Sequence, residues 1–141
     1  GCCRCAKGRL DFRPCTFMTG LLAVAVGGAL GASLRFGSGL LILRLAGGAY
    51  PLGTLFVNVV GSFLMGLAAG HFVLKGGSDE LRLFVMTGLL GGFTTFSAFS
   101  LESLMLWQRG EGGVAALYVA GQVALCLAAI IAGAKLIRAF A

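Results

Sequence analysis

Acidic residues are scarce in this chain: five in 141, against eleven lysines and arginines. Charged residues make up 11% in all, where a soluble domain carries about 25%. That shortage excludes an ordinary water-exposed fold. There is one histidine, His71, near the end of an apolar run and with no carboxylate beside it in sequence. No Ser-His-Asp arrangement, phosphate-binding glycine loop or pair of facing carboxylates can be assembled, so the chain does not read as an enzyme. Asp79 and Glu80 are the only adjacent acids, and they read as a solvated loop or a helix cap. The net charge of +6 gathers in the first 17 residues and at segment ends. It lacks the interleaved aromatic and basic residues of a nucleic-acid surface, so no nucleic acid is expected. Cys2, Cys3, Cys5 and Cys15 crowd the tail without a second ligand pair at zinc spacing or a tail histidine, which argues against a metal site there. Cys126 stands in the last apolar run and reads as a small packing residue.

What the chain has is hydrophobic residues, at 58%, and glycine, at 24 residues. A spanning helix needs roughly 20 apolar residues, which leaves room for four. Abundant glycine suits close helix packing in lipid. The sequence therefore predicts an all-α integral membrane protein with four transmembrane helices, over about Met18–Leu45, Leu52–Leu74, Leu81–Trp107 and Val114–Ile137. Residues 18–141 form that domain. Residues 1–17 read as a polar, basic tail outside the fold, unstructured or an upstream extension, since Met18 stands right before the first apolar run. Gly27 and Gly31 make a G-x-x-x-G face on the first span, and Pro51 suits the first turn of the second. Four spans put the N-terminus, the second loop and the C-terminus on one side. Outside the tail, that side carries Lys75, Arg82, Lys135 and Arg138, and the other Arg44 and Arg109. So weak a bias allows insertion in both orientations.

The polar residues inside these spans carry the functional argument. The third span contains Gly91-Gly92-Phe93-Thr94-Thr95, poor helix material because glycine loses backbone entropy and threonine competes for backbone hydrogen bonds. A break at Gly91–Thr95 would free N–H and C=O groups at membrane depth, where only protein, water or an ion can satisfy them. The plainer alternative is a packing kink. Arg35 lies well inside the first span; it supplies positive potential to a vestibule, bonds loop carbonyls, or snorkels to the interface. Asn58 and Ser62 share one face of the second span, as interhelical glue or as donors to an anion. Phe96 and Phe99 share a face beyond the break. Ring edges plus neutral donors could carry a small anion without trapping it, whereas a full positive charge would hold it too tightly; the alternative is ordinary packing. Glu102 is the one acid inside an apolar segment. Tyr118, Gln122 and Cys126 recur every four residues as a polar line on the fourth span.

Three runs of residues resemble the Fluc (CrcB) fluoride channel family: Gly27-Gly28-x-x-Gly31-Ala32-x-x-Arg35; Gly53-Thr54-Leu55-x-Val57-Asn58-x-x-Gly61-Ser62-Phe63; and Gly88-x-x-Gly91-Gly92-Phe93-Thr94-Thr95-Phe96-Ser97-x-Phe99-Ser100-x-Glu102. The resemblance implies an antiparallel, dual-topology homodimer in the cell inner (plasma) membrane, with two pores that export fluoride passively. It implies a structural sodium ion at the dimer centre, held by backbone carbonyls that fall on Gly91 and Thr94. Pore phenylalanines fall on Phe96 and Phe99 and the pore asparagine on Asn58, with Ser97, Tyr118 and Gln122 as lesser contributors. Arg35 would be the first-helix arginine, with Ser62 and Glu102 in vestibule or structural roles. Ala98 stands where the family often has threonine, and Gln122 and Cys126 where small hydroxyl residues are expected. The tail has no counterpart.

Three rivals make different demands. A small multidrug transporter would want a carboxylate in the first span, which has none. A lipid-processing enzyme would want acids at the interface for metal and general-base work. A structural subunit would explain the glycine faces and leave the aligned donors without a purpose.

Overall fold

The computed structural model describes residues 14–140 apart from residue 49, with side chains from Phe17 onward. The expected tail cluster Cys2, Cys3 and Cys5 lies outside the described residues, as does the side chain of Cys15. Helix α1 runs Pro14–Ala46, α2 Leu52–Lys75, α3 Asp79–Arg82, α4 Gly91–Phe93, α5 Phe96–Gln108 and α6 Gly112–Ala139, with a π-helical stretch at Leu83–Leu90 between α3 and α4. Among the described residues, four helical segments are long and apolar enough to cross a membrane, the third being the whole of Asp79–Gln108. The described chain is thus all-helical and multi-pass. α1 begins four residues ahead of Met18, and the part of it long and apolar enough to cross a membrane begins at Phe17.

Local chemistry sets the ends. Gly47 stops α1 and Gly110 stops α5, both at positive φ (75° and 79°) that other residues rarely adopt. Ser78 caps α3 by accepting from Leu81 N–H at 3.2 Å. Asp79 and Glu80 occupy that first turn, where the helix dipole favours acids; these two acids are a cap and its neighbour.

Glycine sets the packing. α2 lies chiefly on α6, and α1 on the π-helical stretch and α4. A Cβ at Gly31 would collide with the Leu89 carbonyl, and one at Gly133 with the Phe63 carbonyl. Backbone therefore meets backbone across both seams, which is how helices attract each other where no hydrophobic effect acts between them. Few residues are buried: Val57, Leu90, Phe93, Phe99, Leu106 and Ala115 form the apolar core, with Asn58 and Gln122 beside them. Large apolar side chains such as Phe36, Leu117 and Trp107 point outward, as suits a surface in lipid.

Candidate functional site

The polar residues converge on Thr94 and Thr95. α4 ends at Phe93; Thr94 takes φ −81°, ψ 159° and Thr95 φ −152°, ψ 118°, both extended, before α5 starts at Phe96. Gly91, in contrast, is helical at φ −64°, ψ −36°, so the two residues out of helical geometry are the threonines. In a continuous helix Thr95 N–H would reach the Gly91 carbonyl and Ala98 N–H the Thr94 carbonyl. Here Thr95 N–H donates to Asn58 Oδ1 at 2.7 Å, and Ala98 N–H donates to Thr95 Oγ1 at 3.3 Å. The Gly91 and Thr94 carbonyls have both lost their helical donors.

Asn58 closes the arrangement from α2. It accepts from Thr95 N–H and donates Nδ2–H to Thr95 O at 2.9 Å. The side chain is 7% exposed. One amide hydrogen is committed to Thr95, which leaves the second for another acceptor.

Two concavities meet at Thr95. The larger, about 570 Å³, is lined by Arg35, Thr54, Glu102 and Arg109 among others, and reaches Gly47, Gly48, Tyr50 and Pro51 between α1 and α2. Arg35 Nε is buried without a hydrogen-bond partner among the described residues. Glu102 accepts from Thr54 Oγ1 at 2.7 Å and from Tyr118 OH at 2.8 Å, so its carboxyl ties α2, α5 and α6 together. Tyr118 therefore directs its hydroxyl to Glu102. Thr54 was missed by sequence reasoning; its signal was adjacency to the Asn58 face one turn on.

The smaller concavity is a groove of about 280 Å³, lined by Asn58, Ser62, Met65, Thr94, Thr95, Phe96, Phe99, Gln122 and Cys126, with Gly61, Val123 and Ile130. No charged side chain is among them. Gln122 is 4% exposed, and its Oε1 has no partner among the described residues. Phe96 and Phe99 meet edge-on, ring centroids 5.4 Å apart at 60°. They differ in setting: Phe99 is 6% exposed and Phe96 76%. Phe99 also packs on the Tyr118 ring at 5.5 Å. Ser97 is exposed, 3.3 Å from Thr95 Oγ1 through its own hydroxyl. Ser100 and Ser103 bond back to the Phe96 and Phe99 carbonyls within α5.

The family described as CrcB-like protein, Camphor Resistance (CrcB), matches residues 22–134, which takes in every residue of both concavities. The chain belongs to that family. A protein of Rhodopseudomonas palustris named "Fluoride-specific ion channel FluC" is 55% identical over 119 residues, covering 84% of this chain and 96% of the relative. Namesakes from Cereibacter sphaeroides and Novosphingobium aromaticivorans are 51% and 49% identical over 121 and 126 residues, covering 86% and 88% of this chain and 96% and 100% of theirs. As a multi-pass CrcB-like protein, the chain resides in a cell membrane, which in a bacterium is the plasma membrane.

Proposed function

We propose that this chain is a passive, fluoride-selective channel that exports cytoplasmic fluoride and so gives resistance to it. The observation that carries the reading is the uncharged groove. Asn58, Ser62, Thr94, Thr95 and Gln122 bring neutral hydrogen-bonding groups to its lining, and Phe96 and Phe99, packed edge-on against each other, line it with them. Fluoride is small and strongly hydrated, so a path must replace its water without holding the ion. Neutral donors and positive ring edges do this, whereas a lysine or arginine in the groove would trap it.

The larger concavity then serves as the vestibule. Arg35 and Arg109 raise the potential where the anion enters, outside the narrow groove. The free amide hydrogen of Asn58 and the Thr95 hydroxyl stand at the junction. Ser97 and the Tyr118 ring flank the phenylalanine pair, with Tyr118 oriented by Glu102.

A single chain leaves the groove open on one side and Phe96 outside the protein. A second, antiparallel copy closes the path and covers Phe96, and the weak charge bias permits both insertions. In such a dimer the third-span breaks meet near the midplane. The Gly91 and Thr94 carbonyls, deprived of helical donors, would then supply oxygen ligands from two chains to a sodium ion. Hard cations favour such oxygens, so the residues present fit the ion. Its chemistry there is structural: it satisfies carbonyls that lipid cannot. Fluoride efflux from liposomes containing the purified chain tests the reading.

A further inference from the structure

Cys126 does not fit the anion path. Its thiol is half-buried and has no disulfide partner among the described residues, it lines the same groove as Gln122 and Met65, and sulfur gives a fluoride ion only a weak donor. Gln122 stands one turn before it on α6, 4% exposed, with a buried Oε1 that no donor among the described residues satisfies. An orphaned acceptor of that kind calls for a hydrogen-bond donor or a cation. Met65 comes from α2 on the facing side. Its neighbour Gly66 is pressed onto the Ile130 carbonyl, one turn beyond Cys126, which fixes the two helices against each other at this level. A thiol, a thioether and an amide side chain thus line one groove.

We propose that Cys126, Met65 and Gln122 form a binding site for a soft metal cation of the silver(I) or copper(I) type, and that a cation held there stops anion passage. Thiolate and thioether select such ions over hard ones. Binding replaces the Cys126 S–H bond by an S–metal bond; the proton leaves to water, and no electron is transferred. Thiolate and cation together carry no net charge, so the bound metal stops the ion by filling the space it needs or by holding it at an open coordination position. The blocking half rests on the reading of the groove as the anion path; the binding half does not.

The test uses the full chain in liposomes in chloride-free nitrate buffer, with silver nitrate as the probe. Two quantities are read: alkylation of Cys126 by N-ethylmaleimide, followed by mass spectrometry of its peptide, and fluoride efflux relative to each variant's own untreated rate. Silver is expected to protect Cys126 and to slow efflux over the same concentration range. Met65→Leu is expected to raise the protecting concentration by about tenfold or more, a usual loss when a metal site is weakened. Cys126→Ser, with the tail cysteines retained, is expected to lose the slowing. Unchanged alkylation in silver overturns the site. Equal slowing of Cys126→Ser and the parent overturns the block. Absence of any untreated efflux refutes the channel reading and with it the block, while alkylation still decides whether the metal binds.

Discussion

Asn58 and Thr95 exchange two hydrogen bonds, side chain to backbone, across 37 residues of sequence: Thr95 N–H to Oδ1 at 2.7 Å and Nδ2–H to Thr95 O at 2.9 Å. This amide supplies the acceptor that Thr95 N–H lacks outside a helix and holds the place where the two concavities meet. Asn58→Asp keeps the acceptor and replaces the donor with an oxygen facing the Thr95 carbonyl. The expected cost is about 1–3 kcal/mol, the penalty for a buried group left unsatisfied, together with loss of fluoride efflux. Titration into denaturing detergent and liposome efflux check the two effects separately.

Glu102, Thr54 and Tyr118 should behave as one unit. Thr54→Val and Tyr118→Phe each remove one donor to the same carboxyl. Their separate costs should not add: coupling of about 0.5–3 kcal/mol is expected in a double-mutant cycle, as for residues sharing a network. Additive losses would show that the two bonds act independently.

The two phenylalanines should separate stability from transport. Phe99 is 6% exposed and Phe96 76%. Phe99→Ala should destabilise the folded chain by about 1–3 kcal/mol, less than in a water-soluble core because lipid replaces part of the transfer cost. Phe96→Ile should leave the stability of the single chain within about 0.5 kcal/mol, as surface changes do, while cutting fluoride efflux. Equal stability losses would contradict the difference in burial.

Glycine substitution should divide by what a methyl group meets. Gly133→Ala drives a Cβ into the Phe63 carbonyl, whereas Gly37→Ala meets nothing within 4 Å. The first is expected to unfold or loosen the α2–α6 seam. The second should be neutral or stabilising by up to about 1 kcal/mol, since alanine is the better helix former. Unfolding measurements on both settle the contrast.

Much of the fold was legible because lipid imposes a single rule, that backbone groups be satisfied within a span. Four apolar runs of sufficient length could become little other than four helices, and Gly27 and Gly31 announced a close seam. The partner of that seam was not legible: nothing in the first span says that it meets the Leu89 carbonyl. The Gly91–Thr95 stretch drew notice for its composition, yet Gly91 keeps helical angles and the extended residues are Thr94 and Thr95. Tertiary bonds decide this, because Asn58 takes the Thr95 N–H. Tyr118 and Gln122 read as equivalent members of one polar line. The structure separates them, since one turn of α6 carries Tyr118 to Glu102 and leaves Gln122 over the groove. Thr54 was invisible as a partner of Glu102 because 48 residues lie between them.

Sodium tests the assembly. Replacing sodium by a large organic cation should lower both the dimer fraction and the efflux rate, because the Gly91 and Thr94 carbonyls would then face each other without a ligand. Unchanged dimer and efflux in sodium-free buffer would remove the ion from the account.

The most direct measurement is paired efflux of fluoride and chloride from liposomes carrying the reconstituted chain, each read with its own electrode. The uncharged groove predicts rapid loss of fluoride and negligible loss of chloride. A folded, reconstituted protein that releases no fluoride, or releases chloride equally fast, would contradict it.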